Sequence, residues 1–303
     1  MPDLAAKPRR STPRVVNTAA ALRAAVRAAR ADGHTIGLVP TMGALHAGHL
    51  SLVERSCREC GFNVVSIFVN PTQFGPQEDF ARYPHNLEAD LAALSPYAAD
   101  LVFAPGLKEM YPAGCTTFVE VGRVAEKWEG ACRPGHFRGV ATVVLKLFNL
   151  AQPDVAYFGQ KDYQQTVVVR RMVADLDVPV EIRICPTVRE PDGLALSSRN
   201  VYLSQEERRQ ALSLSRGLRR AEELVHRGER DADAVRRAVR ETIAAEPAVR
   251  VDYVAVVDAD TMDELQRIEG AAVVAVAARV GTTRLIDNTV LWAAAAGSGG
   301  GRG

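Results

Sequence analysis

The sequence predicts an α/β fold, a doubly wound parallel sheet joined to a smaller C-terminal α+β domain. Through about residue 186, short apolar runs of strand length alternate with segments of helical periodicity, as in a parallel sheet covered on both faces. Beyond that point the alternation stops, and two helical runs precede a group of strands. A length of 303 residues suits two domains at roughly 150 residues each, both able to bury a core.

"TAAALRAAVRAARADG" reads as a helix ending near Gly33, and "TIGLVP" as a buried strand. A helix from about His46, the strand "NVVSIFVN", the helical "NLEADLAALSP" and the short strand "ADLVFAP" follow. After a Gly- and Pro-containing stretch, "GVATVVLKLFNLAQ" has apolar residues at helical spacing, Val140, Val143, Val144 and Leu147. The strand "DVAYFG", the helix "DYQQTVVVRRMVADL" and the strand "VEIRICP" complete this half. In the remainder, Ser204 and Glu207 form a capping box that opens a long helix. A second helix covers "DADAVRRAVRETIAA", and "VRVDYVAVVDA" and "AAVVAVAARVGTTRLIDN" read as strands separated by "TMDELQRI". The expected boundaries are a disordered leader at 1–14, the doubly wound domain at 15–187, the α+β domain at 188–293 and a low-complexity, disordered tail at 294–303.

A formal net charge of +1 argues against a nucleic-acid binder, and no apolar run reaches membrane-spanning length. The leader has Pro and Arg but no hydrophobic segment, so a disordered leader rather than a secretory signal is expected, with a transit peptide as the alternative. Five scattered cysteines read as reduced thiols in a cytoplasmic protein. Cys57 and Cys60 form a C-x-x-C inside a helical run with no second pair or nearby histidine pair, and read as ordinary helix residues rather than a metal or redox site.

"GLVPTMGALHAGHLSLV", Gly37 to Val53, is the first candidate site. A strand ending at Pro40, a glycine-containing turn and a helix from about His46 lie at the carboxyl edge, where open α/β sheets bind ligands. A helix N-terminus offers N–H groups and the positive end of the dipole, so phosphate is the natural guest. Gly43 and Gly48 would let backbone approach its oxygens. Their spacing is that of a P-loop, but His49 and Leu50 stand where Lys and Ser or Thr belong. His46 and His49 share a face of the first turn and can hold successive phosphates as charge builds on departing pyrophosphate. His34, alone, reads as packing or surface.

Later segments add polar groups. In "GQKDYQQ", Lys161 can reach a phosphate as a point charge, Gly159 leaves room for a nucleotide, and Asp162 can hold Mg²⁺. The plain alternative for Lys161 and Asp162 is a solvated pair at a turn. Gln73 and Gln165 are neutral amides suited to a hydroxy acid and an amine, with Asn70, Tyr83 and Met42 as further walls. In "LALSSRN", Ser197 and Ser198 offer hydroxyls and Arg199 a cationic fork, unless this is simply an interdomain turn. Arg133, His136 and Arg138 form a basic loop that reads either as a gate or as a solvated charged loop.

The H-x-G-H of "HAGH" resembles the signature of the nucleotidyltransferase superfamily that includes class I aminoacyl-tRNA synthetases. "PTMGALHAGHLSLV" resembles the pantothenate synthetase (pantoate–β-alanine ligase) family more closely. "VSIFVNPTQFGPQEDFARYP", "EGACRPGHFRGVATVVLKLFN", "DVAYFGQKDYQQ" and "LALSSRNVYLS" resemble it in the same order, so the likeness runs from about residue 15 to 290. It implies a Rossmann-like domain binding ATP and pantoate at 15–187 and a lid at 188–293. It also implies a two-step ligation: ATP and pantoate give a pantoyl adenylate and pyrophosphate, and the amine of β-alanine then displaces AMP to form pantothenate, a coenzyme A precursor.

The same resemblance implies ATP contacts by Met42, Gly43, Ala44, Leu45, His46, Ala47, Gly48 and His49. A second set is Gly159, Gln160, Lys161 and Asp162. The backbone of Val188 would read adenine, with Leu196, Ser197, Ser198 and Arg199 beyond it. His49 is the acid catalyst by family convention, with His46 and Lys161 as catalytic partners. Pantoate is assigned to Gln73 and Gln165 and β-alanine to Gln73, while Mg²⁺ would accompany ATP on Asp162 and Asp90. A homodimer is expected, with neither nucleic acid nor membrane as partner. Two rivals are a nucleotidyltransferase that releases its nucleotidylated product and a catalytically silent nucleotide-binding protein. The two glutamines and the C-terminal domain oppose the first; the full set of histidines, Lys161 and Arg199 opposes the second.

Overall fold

The computed structural model of the chain describes residues 12–76, 78 and 80–292. The expected tail and residues 1–11 of the expected leader fall outside these residues; Thr12 to Arg14, assigned to the leader, are described, and Arg14 opens the first strand. The chain divides into two compact units. The first runs to Gln160 and adds Gln164–Val188 and Leu196–Ser198, and the second comprises Lys161–Tyr163, Arg189–Ala195 and the chain from Arg199.

The first unit is built on six strands: β1 (Arg14–Val16), β2 (Ile36–Thr41), β3 (Phe62–Ile67), β4 (Leu101–Phe103), β5 (Val155–Gly159) and β6 (Glu181–Cys185). They pair in parallel in the order β1-β4-β3-β2-β5-β6. β1 has no counterpart in the sequence reading, because three residues are too short to display alternation. The helices of this half are α1 (Ala19–Ala31), α2 (Ala47–Glu59), α3 (Leu87–Leu94), α4 (Leu107–Met110), α5 (Glu129–Cys132), α6 (His136–Ala151) and α7 (Tyr163–Asp175). Ile36, Leu38 and Val39 of β2 are at most 1% exposed, as expected of a strand covered on both faces. α1 is capped by the Thr18 hydroxyl, which accepts from Ala21 N–H, and buries Leu22, Val26 and Ala29 at helical spacing. α6 begins three residues before the expected Gly139, because Gly135 at φ +81 turns the chain into the helix.

β3 lies on one side of β2 and β5 on the other, so the strand order reverses between β2 and β5. That is the switch point of an open sheet, and ligands bind outside the carboxyl ends of the strands there. The turn after β2 and the Gly159–Gln160 turn after β5 leave from these ends.

The second unit contains α8 (Gln205–His226), α9 (Ala232–Ala244) and the antiparallel sheet β7 (Val249–Asp258), β8 (Ala271–Val280) and β9 (Thr283–Trp292). The Ser204–Glu207 capping box is present in both directions. Leu214 and Leu218 of α8, Val239 and Ile243 of α9, and Val256 and Val274 of the sheet belong to one buried cluster.

Candidate active site

The turn after β2 requires left-handed backbone twice, at Gly43 (φ +82) and Ala44 (φ 51). Asp90 of α3 braces it. Only 3% exposed, Asp90 accepts from Leu45 N–H at 2.7 Å through Oδ1 and from Ala44 N–H at 3.2 Å through Oδ2. A Cβ on residue 43 would lie 2.8 Å from Asp90 Oδ2, so glycine here serves the carboxylate as well as the φ angle. Burial pushes the Asp90 carboxyl above the ordinary aspartate range, against the pull of the two amides. The sequence reading assigned Asp90 to Mg²⁺; the structure instead directs both oxygens to main-chain amides of the turn.

His46 is the N-cap of α2, at φ −127 and ψ 174, and so precedes the first helical turn on which the sequence reading placed it. Its Nδ1 accepts from Gly48 N–H at 3.2 Å, while His49 Nδ1 accepts from His46 N–H at 3.4 Å. This is a reciprocal capping box made of two histidines. The rings lie 4.1 Å apart between centroids, tilted by 32°. With each Nδ1 accepting, the proton of each neutral imidazole belongs on Nε2. Gly48 makes room for this arrangement, since a Cβ there would sit 2.9 Å from His46 Cε1.

After β3 the chain makes a short 3₁₀ turn, Pro71–Gln73, capped by Asn70. Asn70, 1% exposed, donates to Gln73 Oε1 at 3.0 Å and to Gly139 O at 3.1 Å. Tyr111 and Thr72 hydroxyls donate to Asn70 Oδ1. Gln73 Nε2 lies 3.0 Å from Met42 Sδ, which joins this turn to the one after β2. α6 packs against it so closely that a Cβ on Gly139 would meet Thr72 O at 2.3 Å.

Arg133 and His136 are not a solvated charged loop, because both are turned inward onto the Gln73 carbonyl. His136 Nδ1 lies 2.8 Å from that oxygen and Arg133 Nη2 3.3 Å from it. Arg133 also grips Glu78 through two contacts of 2.8 and 2.5 Å. Burial, reinforced by the Arg133 charge, holds the His136 imidazole down to about 4, so it is neutral and donates from Nδ1. Arg138 is different: exposed, it lies over the Phe118 ring at 4.2 Å.

Two adjacent glutamines of α7 have opposite surroundings. Gln164, 6% exposed, donates to Val124 O and Lys127 O and accepts from Glu129 N–H, pinning the 124–129 segment. Gln165 is half-buried, and no hydrogen bond of its side chain is found among the described residues. Open space lies over Gly159, where an added Cβ would meet nothing within 4 Å. Val188 O accepts from Leu196 N–H at 3.0 Å, and Ser198 Oγ lies 3.5 Å from Tyr83 OH, itself 6% exposed.

Lys161, Asp162 and Arg199 belong to the second unit. Lys161 Nζ is 3.3 Å from Asp162 Oδ1, whose side chain is 47% exposed. Among the described residues no three His, Cys, Asp or Glu side chains are grouped to hold a metal ion. The five cysteines are free thiols. Cys60 lies just past α2 as its C-cap, buried with Sγ 3.3 Å from Tyr157 OH, and burial pushes its thiol up.

The chain matches the family model for pantoate-beta-alanine ligase over residues 14–290. It is 58% identical over 278 residues to a pantothenate synthetase of Roseiflexus sp. (strain RS-1), covering 92% of this chain and 99% of that one. It is also 58% identical to a pantothenate synthetase of Moorella thermoacetica, covering 91% and 98%. Among solved structures it is similar to the pantothenate synthetase of Thermus thermophilus, with TM-score 0.86, 53% identity and coverage of 91% and 98%. A pantoate-beta-alanine ligase from Francisella tularensis, crystallised with beta-gamma ATP and beta-alanine, superposes with TM-score 0.74 at 33% identity, covering 92% and 97%.

Proposed function

The chain belongs to the pantoate–β-alanine ligase family and is an enzyme of pantothenate biosynthesis; from that premise we propose how its residues carry out the ligation. A carboxylate is a poor acyl donor because its oxygen leaves badly, so pantoate first displaces pyrophosphate from ATP to form an adenylate. The amine of β-alanine then displaces AMP. No enzyme-bound acyl group is needed.

The observation that carries the proposal is the histidine capping box. It occupies Nδ1 of both rings at the start of α2, beside the switch-point edge where the triphosphate would lie, and leaves the proton of each neutral ring to Nε2. His49, as the acid, and His46 stabilise charge on the departing pyrophosphate, while Lys161 and Arg199 bind phosphate as point charge and fork. Met42, Ala44, Leu45 and Ala47 line the triphosphate side, and Gly159 leaves room for the nucleotide. Gln160 and the backbone of Val188 and Leu196 contact the nucleotide, and Ser197 and Ser198 donate hydroxyls. Gln73 and Gln165 orient pantoate, and Gln73 then receives β-alanine.

Mg²⁺ usually keeps several waters and phosphate oxygens, so one protein carboxylate suffices to hold it. Asp162, half-exposed, fits that role and would hold the ion, which supplies charge neutralisation of the triphosphate. The family resemblance supports a homodimer and a lid role for the C-terminal domain. Free cysteines suit a cytoplasmic location, and among the described residues no helix is long and apolar enough to cross a membrane.

Incubation with ATP, Mg²⁺, pantoate and β-alanine should yield AMP and pantothenate, with AMP formation dependent on pantoate. AMP formed equally without pantoate would sink the proposal. His49→Ala should abolish turnover while ATP still binds, which a silent nucleotide-binding protein has no reason to display.

A further inference from the structure

Two consecutive residues of β9 tie down the Lys161 and Arg189 segments. Asp287 and Asn288 of β9 are 4% and 3% exposed. Successive strand residues point to opposite faces of a sheet, so both faces of β9 bury a polar group at this level. Buried polar groups are costly unless paired, and each of these has a defined partner. Asn288 Nδ2 donates to Lys161 O at 2.8 Å. Asp287 takes a two-pronged contact from Arg189, at 2.6 and 3.0 Å, and its Oδ1 also accepts from Asn288 N–H at 2.8 Å. Arg189 Nη1 in turn donates to Gly193 O at 3.2 Å within the 189–195 segment. Tyr163 adds a second tie to the Lys161 segment by donating to Ala259 O at 3.0 Å.

We propose that Asn288 is a positioning residue for ATP binding: it fixes the main chain of Lys161, and Asp287, clamped on Arg189, fixes Asn288. Lys161 carries its charge on a long flexible stem, so a set direction for its backbone lowers the cost of holding the ammonium at a phosphate. A donor at position 288 supplies that direction. Asp287 restrains the neighbouring peptide through the Asn288 N–H and the Arg189 fork. The sequence "TRLIDN" shows none of this, because the bond to Lys161 spans 127 residues. The inference rests on the reading of Lys161 as a phosphate group of the ATP site.

The test is a double-mutant cycle read by calorimetric titration with ATP and magnesium chloride, in full-length protein without pantoate. Asn288→Ala should weaken ATP binding about tenfold, as expected for one lost part-buried hydrogen bond, with the KM for pantoate unchanged. Lys161→Ala should weaken it too, and Asn288→Ala added to Lys161→Ala should have less than about a twofold further effect. Asn288→Leu, close in volume but without a donor, should behave as Asn288→Ala and serves if the alanine variant melts early. Unchanged ATP affinity in both position-288 variants overturns the inference alone, provided Lys161→Ala still weakens binding. The full tenfold loss recurring in the Lys161→Ala background, or an equal loss of pantoate affinity, overturns it as well. If Lys161→Ala leaves ATP affinity intact, the reading of Lys161 fails and the inference falls with it.

Discussion

His46 and His49 cap one helix for each other: each Nδ1 accepts a backbone N–H at the start of α2, and the two rings lie 4.1 Å apart. A pair held this way keeps one orientation, so the capping role, on Nδ1, and the proposed role toward phosphate, on Nε2, fall on different atoms of the same ring. The two roles can be separated. Serine at position 46 keeps an N-cap acceptor but has no Nε2–H, whereas alanine loses both.

His46→Ser should therefore retain wild-type stability within a few tenths of a kcal/mol, while His46→Ala loses about 1 kcal/mol in urea titration. Both should slow adenylate formation by about 10²–10³-fold, the usual effect of deleting one transition-state donor. Single-turnover release of pyrophosphate measures it. A His46→Ser enzyme with near-normal rates would reduce His46 to a cap.

Asp90→Ala leaves two turn amides without their acceptor, at about 1–3 kcal/mol each, and should lower the urea midpoint clearly. Gly43→Ala strains φ at +82 and pushes a Cβ to 2.8 Å from Asp90 Oδ2, so it should lose stability as well. In both variants adenylation should fall, because the turn that aims His46 is displaced. Stability loss with full adenylation activity would show that the brace serves folding only.

The folded-state value of about 4 for His136, against 6.5 ordinarily, makes stability depend on pH. Between these values the unfolded chain binds the extra proton. Stability from neutral His136 is therefore fully present above pH 6.5 and is lost as pH falls toward 4. The loss is on the order of 3 kcal/mol at its limit. His136→Asn keeps a donor for the Gln73 carbonyl but cannot titrate, so its melting temperature should drop less over this range. Thermal melts of both proteins across the window check the difference.

Gln164 and Gln165 should separate folding from binding. Gln164→Ala breaks three hydrogen bonds to main chain, two of them buried, and should cost about 3 kcal/mol. Gln165→Ala should leave stability within about ±0.5 kcal/mol, as at positions without a packed role, and raise the KM for pantoate. The reverse pattern, a stable Gln164→Ala and an unstable Gln165→Ala, would overturn the pantoate assignment of Gln165.

Much of the fold is legible because its signals are local. The apolar run of β2, the helical spacing in α1 and α6 and the Ser204–Glu207 capping box each lie within a few residues of chain. The pairing of His46 with His49 is local too, which is why three-residue spacing was enough to bring the rings together. Their reciprocal capping was not legible, because histidine in both positions of a capping box departs from its usual residues.

The sequence by itself determined the layout of the α/β half, the glycine-flanked histidines and the family resemblance. Only the tertiary structure decided what the partners do. Asp90 bonds Leu45 across 45 residues, His136 meets Gln73 across 63, and Asn288 holds Lys161 across 127. Periodicity records which face of an element is buried, but not which polar group from another element reaches that face. That choice is made by packing, where a buried acceptor or donor left alone would cost more than the contact that satisfies it.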